Sequence, residues 1–97
     1  MSPKFPLPDS PAAAALDVLS DVNDALRHAR MLHPSFRSVM EAEAAIREEI
    51  DELTQAIRAG YASAAPLATT LCMRTEALHL AAMAVKFLVD CPENPDA

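Results

Sequence analysis

Eight prolines and a single glycine divide this 97-residue chain into three long uninterrupted segments. Proline breaks the interior of a helix and glycine commonly ends one, so long helices can form only between these residues. The three segments are rich in Ala, Leu, Met and Glu, which are good helix formers, and they hold few β-branched or aromatic residues. The sequence therefore predicts an all-α fold. The prolines occupy positions 3, 6, 8, 11, 34, 66, 92 and 95, and the glycine is Gly60.

Local signals at the ends of the segments predict where each helix begins and stops. Ser10 is suited to cap the first helix, with Pro11 at its first position. Ser38 and Glu41 have the spacing of a capping box for the second helix, and Gly60 is expected just past its end. These signals predict one helical domain between an extended proline-rich arm and a flexible tail. The expected limits are 1–9 for the arm, 11–32, 39–59 and 67–90 for the helices, 10–91 for the domain and 92–97 for the tail.

The charge and cysteine content narrow the possible partners. The formal net charge is −6, and acidic residues are concentrated between positions 41 and 52. Such a surface repels a phosphate polymer, and no basic patch is visible, so we expect no nucleic acid partner. Cys72 and Cys91 are too few for a disulfide framework and suit a reducing cytoplasm. The longest apolar stretch is interrupted by His79 and Lys86 and is too short to span a bilayer, so a cytoplasmic protein is expected.

The third helical segment is apolar over well over half of its circumference. A helix of this kind is buried on more than one side, and two short neighbouring helices cannot cover all of it. Small cores of this size also rarely stabilise a chain by more than roughly 3–5 kcal/mol. We therefore predict an obligate homo-oligomer, a dimer or a tetramer, in which the third helix packs against its own copy.

Acidic residues at helical spacing form the most informative functional pattern in the chain. Glu48, Glu49 and Glu52 lie within two turns of the second helix, and after 23 intervening residues Glu76 is followed by His79. Residues three or four apart share one face of a helix. A short turn makes the second and third helices antiparallel neighbours, which puts both sets of side chains within roughly 8 Å of the same level. Converging carboxylates favour a bound cation, so we predict a divalent cation site.

These residues and their surroundings resemble the MazG-like, all-α nucleoside triphosphate pyrophosphohydrolases. The family has a Glu-Glu-x-x-Glu cluster, a spacer of 12 to 28 residues, and then Glu-x-x-Asp. The segments 33–38 and 76–90 are also similar to small MazG-like proteins, and the resemblance covers roughly residues 33–90. In this chain the pattern is Glu48-Glu49-x-x-Glu52, a spacer of 23 residues, and Glu76-x-x-His79.

The resemblance implies a fold, a reaction and a set of ligands. Glu49, Glu52 and Glu76 are expected to bind Mg²⁺, or Mn²⁺ in its place. Glu48 and Glu49 are expected to be the catalytic residues, with Glu48 ligating the metal or orienting an attacking water. The family hydrolyses a nucleoside triphosphate at the α-phosphorus and releases the monophosphate and pyrophosphate. A nucleoside triphosphate, held through the bound metal, is therefore the expected partner.

The chain departs from the family at one ligand position. His79 stands where the motif has aspartate, which removes a charge and supplies a nitrogen ligand that Mg²⁺ does not favour. We count His79 among the metal ligands, and two outcomes stay open: a partner protomer completes the pocket, or turnover is weakened or lost. Glu76, His79, Met83, Lys86 and Asp90 form one polar stripe along the third helix. Lys86 lies two turns beyond His79 on this stripe and is placed to meet the triphosphate. Asp90, on that stripe, and Asn23, on the first helix, are further candidates for substrate contact.

Two other interpretations fit part of the pattern. Glu-x-x-His on one helix with a glutamate on its neighbour is also the ligand set of di-iron four-helix bundles, which would mean iron and oxygen chemistry. A dimer would supply two copies of Glu76-x-x-His79 and two further glutamates such as Glu49. Alternatively, the chain is a non-catalytic helical oligomerisation module in which His79 is a satisfied core residue.

Overall fold

The computed structural model describes residues 10–91, and every regular element in that range is an α-helix. Helix α1 spans Pro11–Leu32, α2 spans Val39–Tyr61 and α3 spans Pro66–Asp90. The expectation of an all-α chain with three helices is confirmed. The predicted arm and tail lie outside the described residues.

Side-chain caps begin the first two helices, as the sequence indicated. The Ser10 hydroxyl accepts a hydrogen bond from the Ala13 amide at 3.2 Å, and the Ser38 hydroxyl accepts one from the Glu41 amide at 3.1 Å. Each bond satisfies one of the amide groups that a helix leaves unpaired at its amino end. Helix α1 ends two residues before Pro34, whose ring disfavours helical geometry in the residue before it.

The turn between α2 and α3 differs from the prediction at both ends. Helix α2 continues to Tyr61, two residues beyond the expected end, and Gly60 lies inside the helix with a negative φ rather than in a left-handed cap. A Cβ atom at Gly60 would lie 3.1 Å from the Met73 Cε atom of α3, so the glycine is explained by close helix packing. Helix α3 begins at Pro66, one residue earlier than expected, because proline fits the first turn of a helix.

Helix α3 is the central element, and α2 runs antiparallel to it. Near the connecting turn Gly60 faces Met73, and at the far end the Phe36 amide donates to the Asp90 carboxylate at 2.9 Å. Helix α1 also packs against α3, but no Cα atom of α1 comes within 8 Å of one of α2. Helices α1 and α2 therefore form the two sides of a cleft whose floor is α3.

The polar stripe of α3 faces the other two helices, and much of its apolar surface is exposed. Lys86 on this stripe is only 1% exposed, whereas Leu88 on the opposite side is 69% exposed and Leu71, near the start of the helix, is 57% exposed. Within residues 10–91 the fully buried apolar residues are Val22, Ala42 and Ala82. Despite the exposed apolar side chains, no helix in that range combines the length and hydropathy needed to cross a bilayer.

The inward face of α2 is centred on small residues rather than on its large aliphatic ones. Val39, Ile50 and Ile57 are all exposed, whereas Ile46 and Leu53 are half-buried. Ala42 is completely buried, and Glu49 is half-buried on the same side of the helix. A small side chain at position 42 lets a neighbouring helix approach closely, and this rotation of α2 turns Glu49 toward α3.

Candidate metal centre and adjoining cleft

Four potential metal ligands from α2 and α3 converge in the middle of the helical hairpin. Glu49, Glu52, Glu76 and His79 each offer one ligand atom, and these four atoms all lie within 4.8 Å of one another. Helix α2 supplies two of the residues at a spacing of three, and α3 supplies the other two at the same spacing, so each pair projects from one face. The antiparallel packing of the two helices brings the faces together.

Two carboxylate oxygens in this group are buried without a hydrogen-bond partner in the described part of the chain. They are Oε2 of Glu49 and Oε2 of Glu76. A buried polar atom without a partner costs free energy, and native proteins rarely leave one unsatisfied. The Nδ1 atom of His79 lies 3.7 Å from the Glu76 Oε2 atom, which is beyond hydrogen-bonding distance. These oxygens are therefore available to ligate a cation.

The surroundings of Glu49 disfavour its ionised form. Burial is the largest cause and raises the pKa of Glu49, and the negative charge of Glu52 raises it further. The charge of Glu76 acts in the same direction, while His79 acts in the opposite one. A positive ion among these side chains would reverse the effect, because it stabilises every carboxylate in the group.

The donor set fits a single divalent cation. Carboxylate oxygens suit Mg²⁺ and Mn²⁺, and the imidazole of His79 adds a nitrogen that Mn²⁺ or Fe²⁺ accepts more readily than Mg²⁺ does. Glu52 and His79 are exposed, so one side of the group is open to solvent and to a ligand. Glu48 does not belong to the four-residue group; it is exposed and lines the adjoining cleft next to Glu49.

A cavity of about 430 Å³ occupies the cleft between α1 and α2 and borders the metal-ligand group. We call it the cleft cavity. Small and apolar side chains from all three helices line it together with several charged and polar residues. Its volume falls within the range of small-molecule binding sites, which is roughly 300–1,000 Å³. The cavity is lined by Ala25, His28, Ala29, Leu32, His33, Pro34, Phe36, Glu41, Ala45, Glu48, Glu49, His79, Ala82, Met83 and Lys86.

Lys86 and Asp90 form a buried ion pair at the end of the cleft. The Lys86 Nζ atom donates to the Pro34 carbonyl at 2.8 Å, lies 3.2 Å from an Asp90 oxygen and sits 3.5 Å from the centre of the Phe36 ring. Asp90 also accepts from Arg30 at 2.8 Å and from the Phe36 amide at 2.9 Å. This network joins the end of α1, the α1–α2 connection and the end of α3.

Hydrogen bonding outweighs burial at Asp90. Burial alone would raise the pKa of this carboxyl group, but the hydrogen bonds from the Phe36 amide, Arg30 and Lys86 lower it overall. The folded chain therefore favours an ionised Asp90, although its side chain is only 4% exposed.

The predicted substrate contacts occupy different places in the structure. Lys86 lines the cleft cavity, but its ammonium group is already engaged by Asp90, Pro34 and Phe36. Asp90 has hydrogen-bond donors on both carboxylate oxygens, and Asn23 is exposed and does not line the cavity. Their role in substrate binding stays a prediction.

Sequence reasoning overlooked the other members of these two sites. Nothing in the pattern linked Arg30 to Asp90, which lies 60 residues later, or placed His28 and Glu41 at one cavity. One signal was available: Lys86 and Asp90 are four residues apart on a helix, the spacing of an ion pair.

Comparisons with known protein families, with curated proteins and with solved structures yield no match to this chain.

Proposed function

We propose that this chain is a metal-dependent, cytoplasmic nucleoside triphosphate pyrophosphohydrolase of the MazG-like type, with activity that His79 weakens. The observation that carries the proposal is the convergence of Glu49, Glu52, Glu76 and His79, with two buried carboxylate oxygens that have no partner. These four residues are also the ones that make the sequence resemble the family. Hydrolysis at the α-phosphorus would give a nucleoside monophosphate and pyrophosphate.

The charge of the site supports a metal-bound phosphate rather than a bare one. Three glutamates in the group and Glu48 beside it would repel a triphosphate. A divalent ion held by Glu49, Glu52 and Glu76 would bridge carboxylate and phosphate oxygens and offset the charge that develops during hydrolysis. Glu48 is placed next to these ligands, where it would orient a water for attack.

We also propose that the working form is a homo-oligomer, a dimer or a tetramer. The support is the number of large apolar side chains that stay exposed on all three helices. Monomeric proteins rarely expose large apolar patches. A second copy packed on the outer side of α3 would bury Leu71, Leu88 and Val89, and the result would be a helical bundle.

Metal binding and turnover test the proposed function in two stages. Millimolar Mg²⁺ or Mn²⁺ should raise the melting temperature, because a ligand that binds only the folded state stabilises it. Glu49→Gln and Glu76→Gln should abolish that rise. Asp51→Asn, an exposed position on α2 outside the group, is the matched control and should retain it. Pyrophosphate release is then measured across canonical and modified nucleoside triphosphates; metal binding without release from any of them would refute the catalytic proposal.

A di-iron protein is the second candidate, and one feature favours it. His79 follows Glu76 at the spacing of a Glu-x-x-His motif, and its Nδ1 atom lies 3.7 Å from the Glu76 carboxylate. Metal analysis of the purified protein separates the two candidates. Stoichiometric iron, with two ions per site, would support the di-iron protein and contradict the magnesium-dependent hydrolase.

A further inference from the structure

The cleft cavity is held open by small side chains at positions where larger ones would fill it. Ala25 and Ala29 on α1, Ala45 on α2 and Ala82 on α3 all line it. Leucine or methionine at these positions would bring the helices into ordinary apolar contact and bury more surface. A volume of about 430 Å³ bordered by Glu49 and His79 is therefore space beside the metal-ligand group that a ligand can enter.

The cavity is lined by carboxylates, by an aromatic ring and by three histidines, His28, His33 and His79, and its lysine is already paired. Lys86 is neutralised by Asp90 at 3.2 Å. An ionised carboxylate only accepts hydrogen bonds, so Glu41 and Glu48 at the edge of the cavity favour a ligand that donates them. Phe36 also lines this space; the Lys86 ammonium group lies 3.5 Å from the centre of its ring, so a ligand could stack only on the other face. These features suit an uncharged aromatic group bearing an amino substituent rather than a phosphate.

The cavity extends along α2 by the length of a nucleoside. Glu41 and Glu49 both line it and are eight residues apart, which corresponds to about 12 Å along an α-helix. Glu49 belongs to the metal-ligand group, whereas Glu41 lies at the end of the cavity that contains Phe36. A phosphate held at the first end leaves the sugar and base directed toward the second. Glu41 has one oxygen bound to Arg37 at 3.1 Å, and its other oxygen can accept a further hydrogen bond.

We propose that the cleft cavity binds the nucleoside part of a metal-bound nucleotide, with the base packed on Phe36 and an exocyclic amino group donating to Glu41. This inference rests on the proposed function and adds to it a class of substrate: nucleotides whose base carries an amino group on its hydrogen-bonding edge. In this proposal the small side chain of Ala45 leaves room for the nucleoside, and Glu41 distinguishes bases by accepting a hydrogen bond from the amino group.

The first experiment separates nucleoside binding from phosphate binding. Titration calorimetry in millimolar Mg²⁺ compares the α,β-methylene analogues of cytidine and adenosine triphosphate with inorganic tripolyphosphate. At least one analogue should bind about tenfold more tightly than tripolyphosphate, the gain expected from stacking a base on an aromatic side chain. Ala45→Leu should erase this advantage and leave the affinity for tripolyphosphate within about twofold of the wild-type value. Ala44→Leu, one residue away on the exposed side of α2, should leave both affinities unchanged.

The second experiment tests whether Glu41 selects bases that carry an amino group. Cytidine is compared with uridine and adenosine with inosine, as α,β-methylene triphosphates; each pair exchanges an amino group for an oxygen. In whichever pair binds more tightly, the amino-bearing member should be preferred by about tenfold. Glu41→Gln should collapse the preference, because an amide can donate as well as accept. Glu43→Gln is the control, since Glu43 pairs with Arg47 at 3.0 Å much as Glu41 pairs with Arg37.

The possible failures can be told apart. Equal binding of tripolyphosphate and every analogue would overturn the cleft inference and leave the proposed function standing. A preference for the oxygen-bearing bases, or one that survives Glu41→Gln, would overturn the role of Glu41. Metal binding without binding of any phosphate compound would overturn both proposals. Circular dichroism melting of Ala45→Leu and Glu41→Gln shows that each variant is folded when its affinities are compared.

Discussion

Lys86 is the most deeply buried charged residue in the described part of the chain, and its partners identify what it does there. The ammonium group contacts the Pro34 carbonyl, an Asp90 oxygen and the Phe36 ring. Two of these partners belong to the connection between α1 and α2, so the lysine fixes that connection against the end of α3. The stripe of α3 that carries Lys86 was visible in the sequence. The distant carbonyl and ring could not be foreseen, because periodicity within one helix says nothing about which loop packs on it.

Replacing Lys86 with methionine should destabilise the chain. The substitution leaves Asp90 with one fewer partner in a buried position, and breaking a buried ion pair costs about 3–5 kcal/mol. Urea unfolding measures the loss. Arg58→Met, at an exposed position in the last turn of α2, should cost less than about 1 kcal/mol. A Lys86→Met variant of unchanged stability that lost only nucleotide affinity would favour direct phosphate binding instead.

Asp90 should make stability depend on pH in the acidic range. Its pKa is lower in the folded chain than in the unfolded one, so its ionised form stabilises the fold above the unfolded value of about 4. That contribution is lost as the pH falls through the lower folded value. Melting curves between pH 7 and pH 2 should show wild type more stable than Asp90→Asn at neutral pH, with the gap closing in acid. A gap that stays constant with pH would contradict this account.

At the scale of elements, the sequence predicted where the three helices lie but not how each one is rotated about its axis. Prolines and capping serines mark helix ends by local chemistry, and α1 begins and ends where those signals placed it. Hydropathy alone would not have identified the inward face of α2, because Ile50 and Ile57 are exposed while the smaller Ala42 is buried against α3. The group of Glu49, Glu52, Glu76 and His79 was foreseen because antiparallel pairing depends only on the length of the turn.

The close approach of α2 and α3 at Gly60 leads to a test by substitution. Alanine in a helix is favoured over glycine by about 1 kcal/mol, and the atom nearest a new Cβ is the flexible terminal Cε of Met73. Gly60→Ala should therefore raise the unfolding free energy by roughly 0.5 kcal/mol as Met73 shifts. Gly60→Leu should lower it, since a larger side chain displaces α3 itself. Urea denaturation of the two variants measures both effects, and a stabilising leucine would show that the helices are not tightly packed here.

At the scale of the whole molecule, residues 10–91 bury few side chains. Val22, Ala42 and Ala82 are the buried apolar residues within the described range, and all of them are smaller than leucine. The excess of apolar residues on α3 was readable in the sequence as a need for further burial. Which side of the helix remained uncovered was not readable, because that depends on where α1 and α2 pack.

Charges on the outer side of α3 should dissociate the proposed oligomer. Leu71→Lys and Leu88→Lys each place a charge where a second copy would bury a leucine. Sedimentation at micromolar concentration should show an assembly for wild type and a smaller, less stable species for the variants. Gln55→Lys, on the exposed surface of α2, should sediment like wild type. A wild-type chain that sediments as a stable folded monomer would refute the oligomer.

The separation between the backbones of α1 and α2 has a consequence for motion. Helix α1 is tied to the rest of the chain by α3 and by the network of Arg30, Lys86 and Asp90 at its carboxyl end. We expect its amino-terminal half, which includes the exposed Leu16 and Leu19, to open locally more readily than the hairpin of α2 and α3. Such an opening would widen the entrance of the cleft cavity for a larger ligand without unfolding the chain. Deuterium uptake should accordingly decrease along α1 from Pro11 toward Leu32.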